Sequence, residues 1–244
     1  MRKIFAYPLT VVYFIFFGLL LLIFHPIQWV CLNIFGYEAH KKSVSIMNLG
    51  ILRLTHLLGT RYSFEKEIEL PDDRPLILVA NHQSMYDIPM IIWFLRACHP
   101  KFVSKMELGK GIPSVSYNLR HGGSVLINRK DSRQALTEIS KLGRYIEETK
   151  RAAVIFPEGT RSRDGNPKKF QLMGLRILMK TAPSALVVPI TINNSWKMLR
   201  YGKFPHGIGS HLKMQVHAPI EQNSDPEALL AKVEKKIKDS IKNS

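Results

Sequence analysis

The chain has two cysteines in 244 residues, Cys31 and Cys98, too few for a disulfide framework. Both fall in or beside apolar stretches, so they are expected as buried thiols of a domain in a reducing, cytosolic compartment. Acidic residues are also scarce: 19 Asp and Glu face 35 Lys and Arg, a formal net charge of +16. Such a surface suits an anionic partner: nucleic acid, an anionic membrane face or phosphate-bearing substrates. No Walker A motif, dinucleotide glycine pattern or clustered metal-ligand spacing is present, so no cofactor and no metal are expected. No serine or cysteine sits in a nucleophile elbow such as G-x-S-x-G, which favours direct transfer over a covalent enzyme intermediate. No nucleic-acid motif accompanies the charge, so nucleic acid is set aside as a partner. There is no internal repeat, low-complexity tract or long linker, and the length fits one domain with an appendage.

Charge is absent altogether from residues 4–24, a run long enough to cross a bilayer core. His25–Pro26 is expected to break it, and a second apolar stretch follows at 27–37 with Trp29 and Tyr37, aromatics suited to a membrane interface. Arg2 and Lys3 precede the first stretch, and Lys41 and Lys42 follow the second. Basic flanks on both sides place both ends on the cytoplasmic face, and a helical hairpin dipping into one leaflet satisfies that. A secretory leader lacks its small-residue cleavage site here. The expected division is a membrane anchor over 1–42 and a catalytic domain over 43–244.

Beyond the anchor, helices and strands alternate. Apolar spacing predicts a helix at 43–58, closed by Gly59. Strands are predicted at 62–70, 76–79, 101–104, 124–127, 152–156, 186–192 and 212–218. Helices are predicted at 88–97, 115–119, 132–149, 172–180 and 226–241, the last capped by Asp225 or Ser224. Its stripe of Leu229, Val233, Ile237 and Ile241 is expected on the core. The fold class is therefore α/β, with a mixed, largely parallel sheet flanked by helices.

Several chemically capable side chains fall just after strands, where open α/β sheets bind ligands. Asn81 and His82 end the strand at 76–79, and Asp87 follows five residues after the histidine. A histidine takes a proton from an alcohol near neutral pH, and a carboxylate on its other ring nitrogen fixes the tautomer. Residues five apart on a helix point about 140° apart, so the pair needs an intervening turn, and Gln83–Tyr86 before Pro89 supplies one. The competing reading makes Asp87 a helix cap and His82 an ordinary strand end. The second constellation is FPEGTRSRDG at 156–165. Gly159 admits unusual backbone conformations, and freed amides with Arg161 and Arg163 make a phosphate site. Glu158 is placed to order Arg161 or a substrate hydroxyl; the alternative is an exposed turn with solvated charges. Arg129 ends a third strand and adds a cation. Lys105 is placed similarly. His56, His99, His121, His206, His211 and His217 are scattered and read as structural or surface.

Together these motifs resemble the 1-acyl-sn-glycerol-3-phosphate acyltransferase family. Asn81, His82 and Asp87 match N-H-x-x-x-x-D. Residues 156–162 match F-P-E-G-T-R-S throughout. Residues 123–129 match G-x-x-F-I-D-R more loosely, with Leu126 and Asn128 as departures and Arg129 retained. Val188–Pro189–Ile190 matches a fourth, V-P-[IV]. The resemblance implies a glycerolipid acyltransferase-like fold with a membrane-embedded hairpin. It implies acyl transfer from acyl-CoA or acyl-carrier protein to the hydroxyl of a lysophospholipid, chiefly lysophosphatidate. By carry-over His82 is the base and Asp87 its partner. Glu158, Gly159, Thr160, Arg161 and Arg129 bind the glycerol phosphate, and Pro189 is structural or near the acyl chain. Asn128 keeps other acceptors open: glycerol-3-phosphate, a lyso-ornithine lipid or another lysolipid. The non-enzymatic reading is a membrane-tethered basic module that binds anionic lipid. Sequence alone assigns no oligomeric state.

Overall fold

A computed structural model describes residues 2–222 and 225–242. Ser224, one of the two expected caps of the last helix, lies outside them. The other, Asp225, accepts from the amides of Glu227 and Ala228, each at 3.0 Å, satisfying donors that a helix start leaves orphaned.

The chain opens with α1 (Arg2–Leu54), which is two helices joined at Gly36, where φ is 80° and ψ −170°. The arms run back along each other. A Cβ at Gly50 would lie 3.1 Å from the Leu20 side chain, and Gln28 donates to Met47 Sδ at 3.4 Å. The expected hairpin is present, but its turn is at Gly36, not His25–Pro26. Proline fixes φ near the helical value and removes only one helical hydrogen bond, so Pro26 stays inside the first arm. Reversal needs a positive φ, which glycine supplies. The 42/43 boundary falls within the second arm, which continues to Leu54 and a short 3-10 turn that ends at Gly59 (φ 67°).

Then follow β1 (Arg61–Lys66), β2 (Leu76–Ala80), α2 (Asp87–Phe94), β3 (Lys101–Lys105), α3 (Val115–His121), β4 (Val125–Ile127), α4 (Ser132–Thr149), β5 (Ala152–Ile155), α5 (Leu172–Thr181), β6 (Leu186–Asn193), β7 (His211–Val216) and α6 (Pro226–Asp239). The seven strands form one sheet in the order β1-β7-β6-β2-β5-β3-β4. Every pairing is parallel except β6 with β7. This is the expected mixed, largely parallel sheet.

β2 lies between β5 and β6 and is buried throughout, which is why LILVA reads as a continuous apolar run and not an alternation. Its side chains still alternate between layers. Leu76 and Leu78 meet Met47, Ile51 and Leu52 of the hairpin and Met90 and Ile91 of α2. Ile77 and Val79 meet Leu142 and Ile146 of α4, Leu175 and Leu178 of α5, and Val233 and Ile237 of α6. The terminal helix thus spends Leu229, Val233 and Ile237 of its expected stripe on the core, while it ends at Asp239 and leaves Ile241 half-buried beyond it. Cys31 and Cys98 are free thiols as expected, but half-buried, not buried.

Candidate active site

The parallel strands β2, β5, β3 and β4 deliver their carboxyl ends to one edge of the sheet. Asn81, directly after β2, extends the ladder with its side chain. Its Nδ2 donates to the Ile192 carbonyl at 2.8 Å, and its Oδ1 accepts from the Ile192 amide at 2.7 Å. An amide side chain can satisfy both groups at once, so the strand can stop while its neighbour stays paired. This fixes the exit point of the chain one residue before His82.

His82 Nδ1 lies 2.7 Å from Asp87 Oδ2. A carboxylate only accepts, so Nδ1 carries the proton and Nε2 is left as the basic nitrogen. The ring stacks on Phe156, with centroids 4.1 Å apart and planes 20° apart. Asp87 is fully buried, and five donors hold it, the longest being Ser84 Oγ at 3.5 Å from Oδ1. Besides the imidazole, Oδ2 accepts from the amides of Gln83 (2.7 Å) and Ser84 (2.9 Å), while Oδ1 accepts from Ser195 Oγ at 2.5 Å. The turn over 83–86 makes this possible. Asp87 is the first residue of α2, and its carboxylate folds back over the turn that precedes the helix. A cap for α2 is therefore not its task.

The loop at 156–162 is tied to the same strand end. Glu158 Oε1 accepts from the His82 amide at 2.7 Å, and Oε2 from the Lys168 amide at 2.8 Å. The Ser162 amide donates to the His82 carbonyl at 2.8 Å. Burial holds the Glu158 carboxyl above its usual range, against the pull of its two amide donors. Both oxygens are occupied by the backbone, so Glu158 reaches the site through the position of His82. Gly159 turns the chain at φ 66°, with its amide on the Phe156 carbonyl at 3.0 Å. Gly159, Thr160 and Arg161 are exposed at the resulting tip.

Arg129, two residues past β4, joins this tip electrostatically. Partial burial lowers its guanidinium pKa, Glu107 raises it, and the charge of Arg161 lowers it further. Among the described residues neither guanidinium forms an ion pair. Guanidiniums suit bidentate phosphate, and these two influence one another without either being spent on an ion pair. Arg163 is exposed beyond Ser162. Lys105 pairs in register with Ile127, two residues before Arg129. Pro189 lies within β6, opposite Val79.

The arrangement is a buried carboxylate orienting an imidazole, with one open basic nitrogen and a cationic cradle nearby. The acyltransferase family model matches residues 61–193, which include all of these groups. The chain belongs to the acyltransferase family. Among its relatives, the chloroplastic 1-acyl-sn-glycerol-3-phosphate acyltransferase LPAT1 of Arabidopsis thaliana is 32% identical over 173 residues, covering 69% of this chain and 46% of that protein. The 1-acyl-sn-glycerol-3-phosphate acyltransferase of Helicobacter pylori is 33% identical over 133 residues, 51% of this chain and 54% of that protein. This acyltransferase thus spans about half the length of the curated relatives it matches. The crystal structure of the 1-acyl-sn-glycerophosphate (LPA) acyltransferase PlsC from Thermotoga maritima superposes with a TM-score of 0.78 at 27% identity, over 98% of this chain and 95% of that one.

Two contributors were not singled out by sequence reasoning. Ser195 lies 108 residues from Asp87 and reaches it only because β6 ends beside β2. Gln83 Oε1 accepts from the Ser195 amide at 3.0 Å, and its Nε2 donates to the Gly165 carbonyl at 3.2 Å, joining the three loops. No local spacing marks either residue.

Proposed function

We propose that this acyltransferase moves a fatty acyl group from a thioester, acyl-CoA or acyl-carrier protein, to the sn-2 hydroxyl of 1-acyl-sn-glycerol 3-phosphate, giving phosphatidic acid. One observation carries the reading: His82 commits Nδ1 to Asp87 at 2.7 Å, which leaves Nε2 as the acceptor nitrogen, and the His82 carbonyl accepts from the amide of Ser162, the residue after Arg161. The acceptor phosphate rests on Arg129, Arg161 and the tip at Gly159 and Thr160. Nε2 takes the sn-2 hydroxyl proton as the oxygen attacks the thioester carbonyl. The tetrahedral intermediate then collapses, the C–S bond breaks, and the imidazolium returns its proton to the departing thiolate. Asp87 stabilises the imidazolium between these steps.

The relatives are named for activity on this acceptor, which supports it. The alternative acceptors rested on Asn128, whose Oδ1 accepts from the Lys130 amide at 3.0 Å and whose amide donates to Gln134. Asn128 turns the loop, so its departure from the motif leaves the cradle intact. A passive lipid-binding module does not account for five donors gathered on one buried carboxylate.

The hairpin supports membrane association. Ile4, Phe5, Ile15, Phe16, Leu22, Ile23, Ile34 and Phe35 are exposed along its outer side. An apolar face of that extent suits a lipid surface. The basic flanks favour the cytoplasmic face of the cell membrane. The test is purified protein with a panel of lysolipids and both thioester donors, products identified by mass. His82→Ala should abolish transfer in a folded protein. Arg161→Ala should raise the KM for the phosphate-bearing acceptor about tenfold or more, the loss of one charge-assisted contact. An unchanged KM removes the phosphate role.

A further inference from the structure

A second basic cluster lies at the opposite end of the same strands. Lys101 opens β3, Arg151 directly precedes β5, and the two strands pair there. At a rise of about 3.3 Å per residue, β5 alone puts roughly 13 Å between this cluster and the catalytic loop. The hairpin turn covers it. Tyr37, next to Gly36, has the Arg151 guanidinium 3.9 Å from its ring centroid and the Lys101 ammonium 4.8 Å away. Lys41 Nζ donates to His99 Nε2 at 2.7 Å, which leaves the His99 Nδ1 proton for Tyr37 Oη at 3.2 Å.

Three features make this more than a solvated basic face. A pocket opens here, lined by His40, Lys41, Arg96, His99 and Lys101 among others. Lys101 is 5% exposed, and among the described residues no ion pair joins Lys41, Arg96, Lys101 or Arg151 to a carboxylate. His40 is 1% exposed, lines the pocket, and its Nε2 has no hydrogen-bond partner. A buried ammonium and an unsatisfied imidazole nitrogen both carry a cost that a ligand offsets. Burial, with Arg151 and Lys41 nearby, pulls the Lys101 ammonium down to about 7, against a small opposing pull from Glu38.

We propose that this pocket binds a phosphate group, presented by the headgroup of an anionic lipid. Phosphate matches the geometry, because it offers several acceptor oxygens to separate donors. The lipid source follows from position. Exposed Ile34 and Phe35 stand directly before Gly36, so the outward apolar face of the hairpin ends at the mouth of the cluster. A headgroup there fixes the depth and tilt of the hairpin tip. The site owes nothing to the acyl-transfer chemistry and stands whether or not the proposed reaction is correct.

The experiment uses the full chain in neutral detergent, titrated calorimetrically with inorganic phosphate, and then in flotation with vesicles. Wild type is expected to show two phosphate sites. Lys101→Met should lose one and Arg129→Ala/Arg161→Ala the other. Removing a buried, repelled ammonium for an apolar side chain of similar length leaves the fold intact, and an unchanged thermal unfolding curve reports that directly. On phosphatidylcholine vesicles holding phosphatidylglycerol, Lys101→Met should bind at least fivefold less than Lys232→Met, a charge-matched change on the exposed face of α6. On phosphatidylcholine alone the two should agree. Loss of the calorimetric site with unchanged flotation keeps the phosphate site and assigns it to free phosphate. A single wild-type site that vanishes with the arginine pair overturns the proposal, as does full phosphate binding by Lys101→Met.

Discussion

Asp87→Asn isolates charge from geometry in this site. The buried carboxylate accepts three N–H groups on Oδ2 and, on Oδ1, the Ser195 hydroxyl at 2.5 Å and the Ser84 hydroxyl at 3.5 Å. An asparagine can turn its carbonyl to the three N–H donors and its NH2 to Ser195, whose hydroxyl rotates to accept. The imidazole therefore stays in place with its proton on Nδ1. What disappears is the negative charge that faces the imidazolium formed during transfer. At about 4 Å between charge centres and an effective dielectric constant of about 20, a unit pair is worth about 4 kcal/mol. The amide dipole returns part of this, leaving about 2–4 kcal/mol on the barrier, or roughly 30- to 1000-fold in kcat. The fold loses about 1–2 kcal/mol, the difference between a charged and a neutral acceptor. The assay is thiol release at saturating donor and acceptor, with thermal unfolding run in parallel. A folded variant whose kcat stays within threefold of wild type would falsify the assignment of Asp87 as the stabiliser of the imidazolium.

Glu158→Gln should cost about 1–3 kcal/mol in stability, because one backbone amide then faces an NH2 where it had an acceptor. Both kcat and KM should worsen, since the His82 amide and the 156–162 loop part together; a change in acceptor KM alone would show that Glu158 touches substrate instead. At the sheet edge, Glu67 gives a pH test. The His217 side chain, the Ala218 amide and Lys236 hold its carboxyl at about 2, well below the ordinary 4.5. A depressed carboxylate stabilises the fold above its unfolded pKa, and that contribution drains away as pH falls from 4.5 towards 2. Wild-type Tm should therefore drop across this window by more than that of Glu67→Gln, which starts lower at pH 7; parallel curves would remove the linkage.

Element order and type were legible because each segment agrees with itself. Residues 132–149 carry a helical apolar spacing between the Asp131 cap and Lys150, and α4 occupies that span. The NHQSMYD and FPEGTRS segments were legible for a different reason: their chemistry is local. Asp87 reaches His82 across four residues, and the Gly159 turn is set by its own φ. Strand order was not legible, because pairing β2 with β5 and β6 is decided by which apolar faces meet, not by any one segment. Ser195 was lost with it, since its contact with Asp87 exists only after β6 has docked. Glu158 was visible as a residue but not in its role. A carboxylate in a polar loop reads as a ligand for substrate, and only the fold brings both oxygens onto backbone amides.

The hairpin is where composition misled most, for a physical reason. An uncharged run scores as one apolar object, yet its first arm has two faces with different tasks. Ala6, Thr10, Tyr13 and Leu21 are buried at helical spacing against the domain, with Phe17 and Leu20 half-buried beside them, while Ile4, Phe5, Ile15, Phe16, Leu22 and Ile23 face outward. The docked face is marked by polar atoms that hydropathy averages away. Tyr86 Oη donates to Tyr13 Oη at 2.9 Å and lies 2.7 Å from His206 Nε2, and the His206 amide donates to Thr10 Oγ1 at 3.0 Å. Tyr86 is the residue before Asp87. The arm that presents apolar surface outward is therefore hydrogen-bonded to the turn that orients the base. Tyr13, Leu21 and Met47 share one core with β2 and α2, so the hairpin is also a structural layer of the domain. Any shift of that layer is therefore transmitted through Tyr13 and Tyr86 to the turn that holds His82.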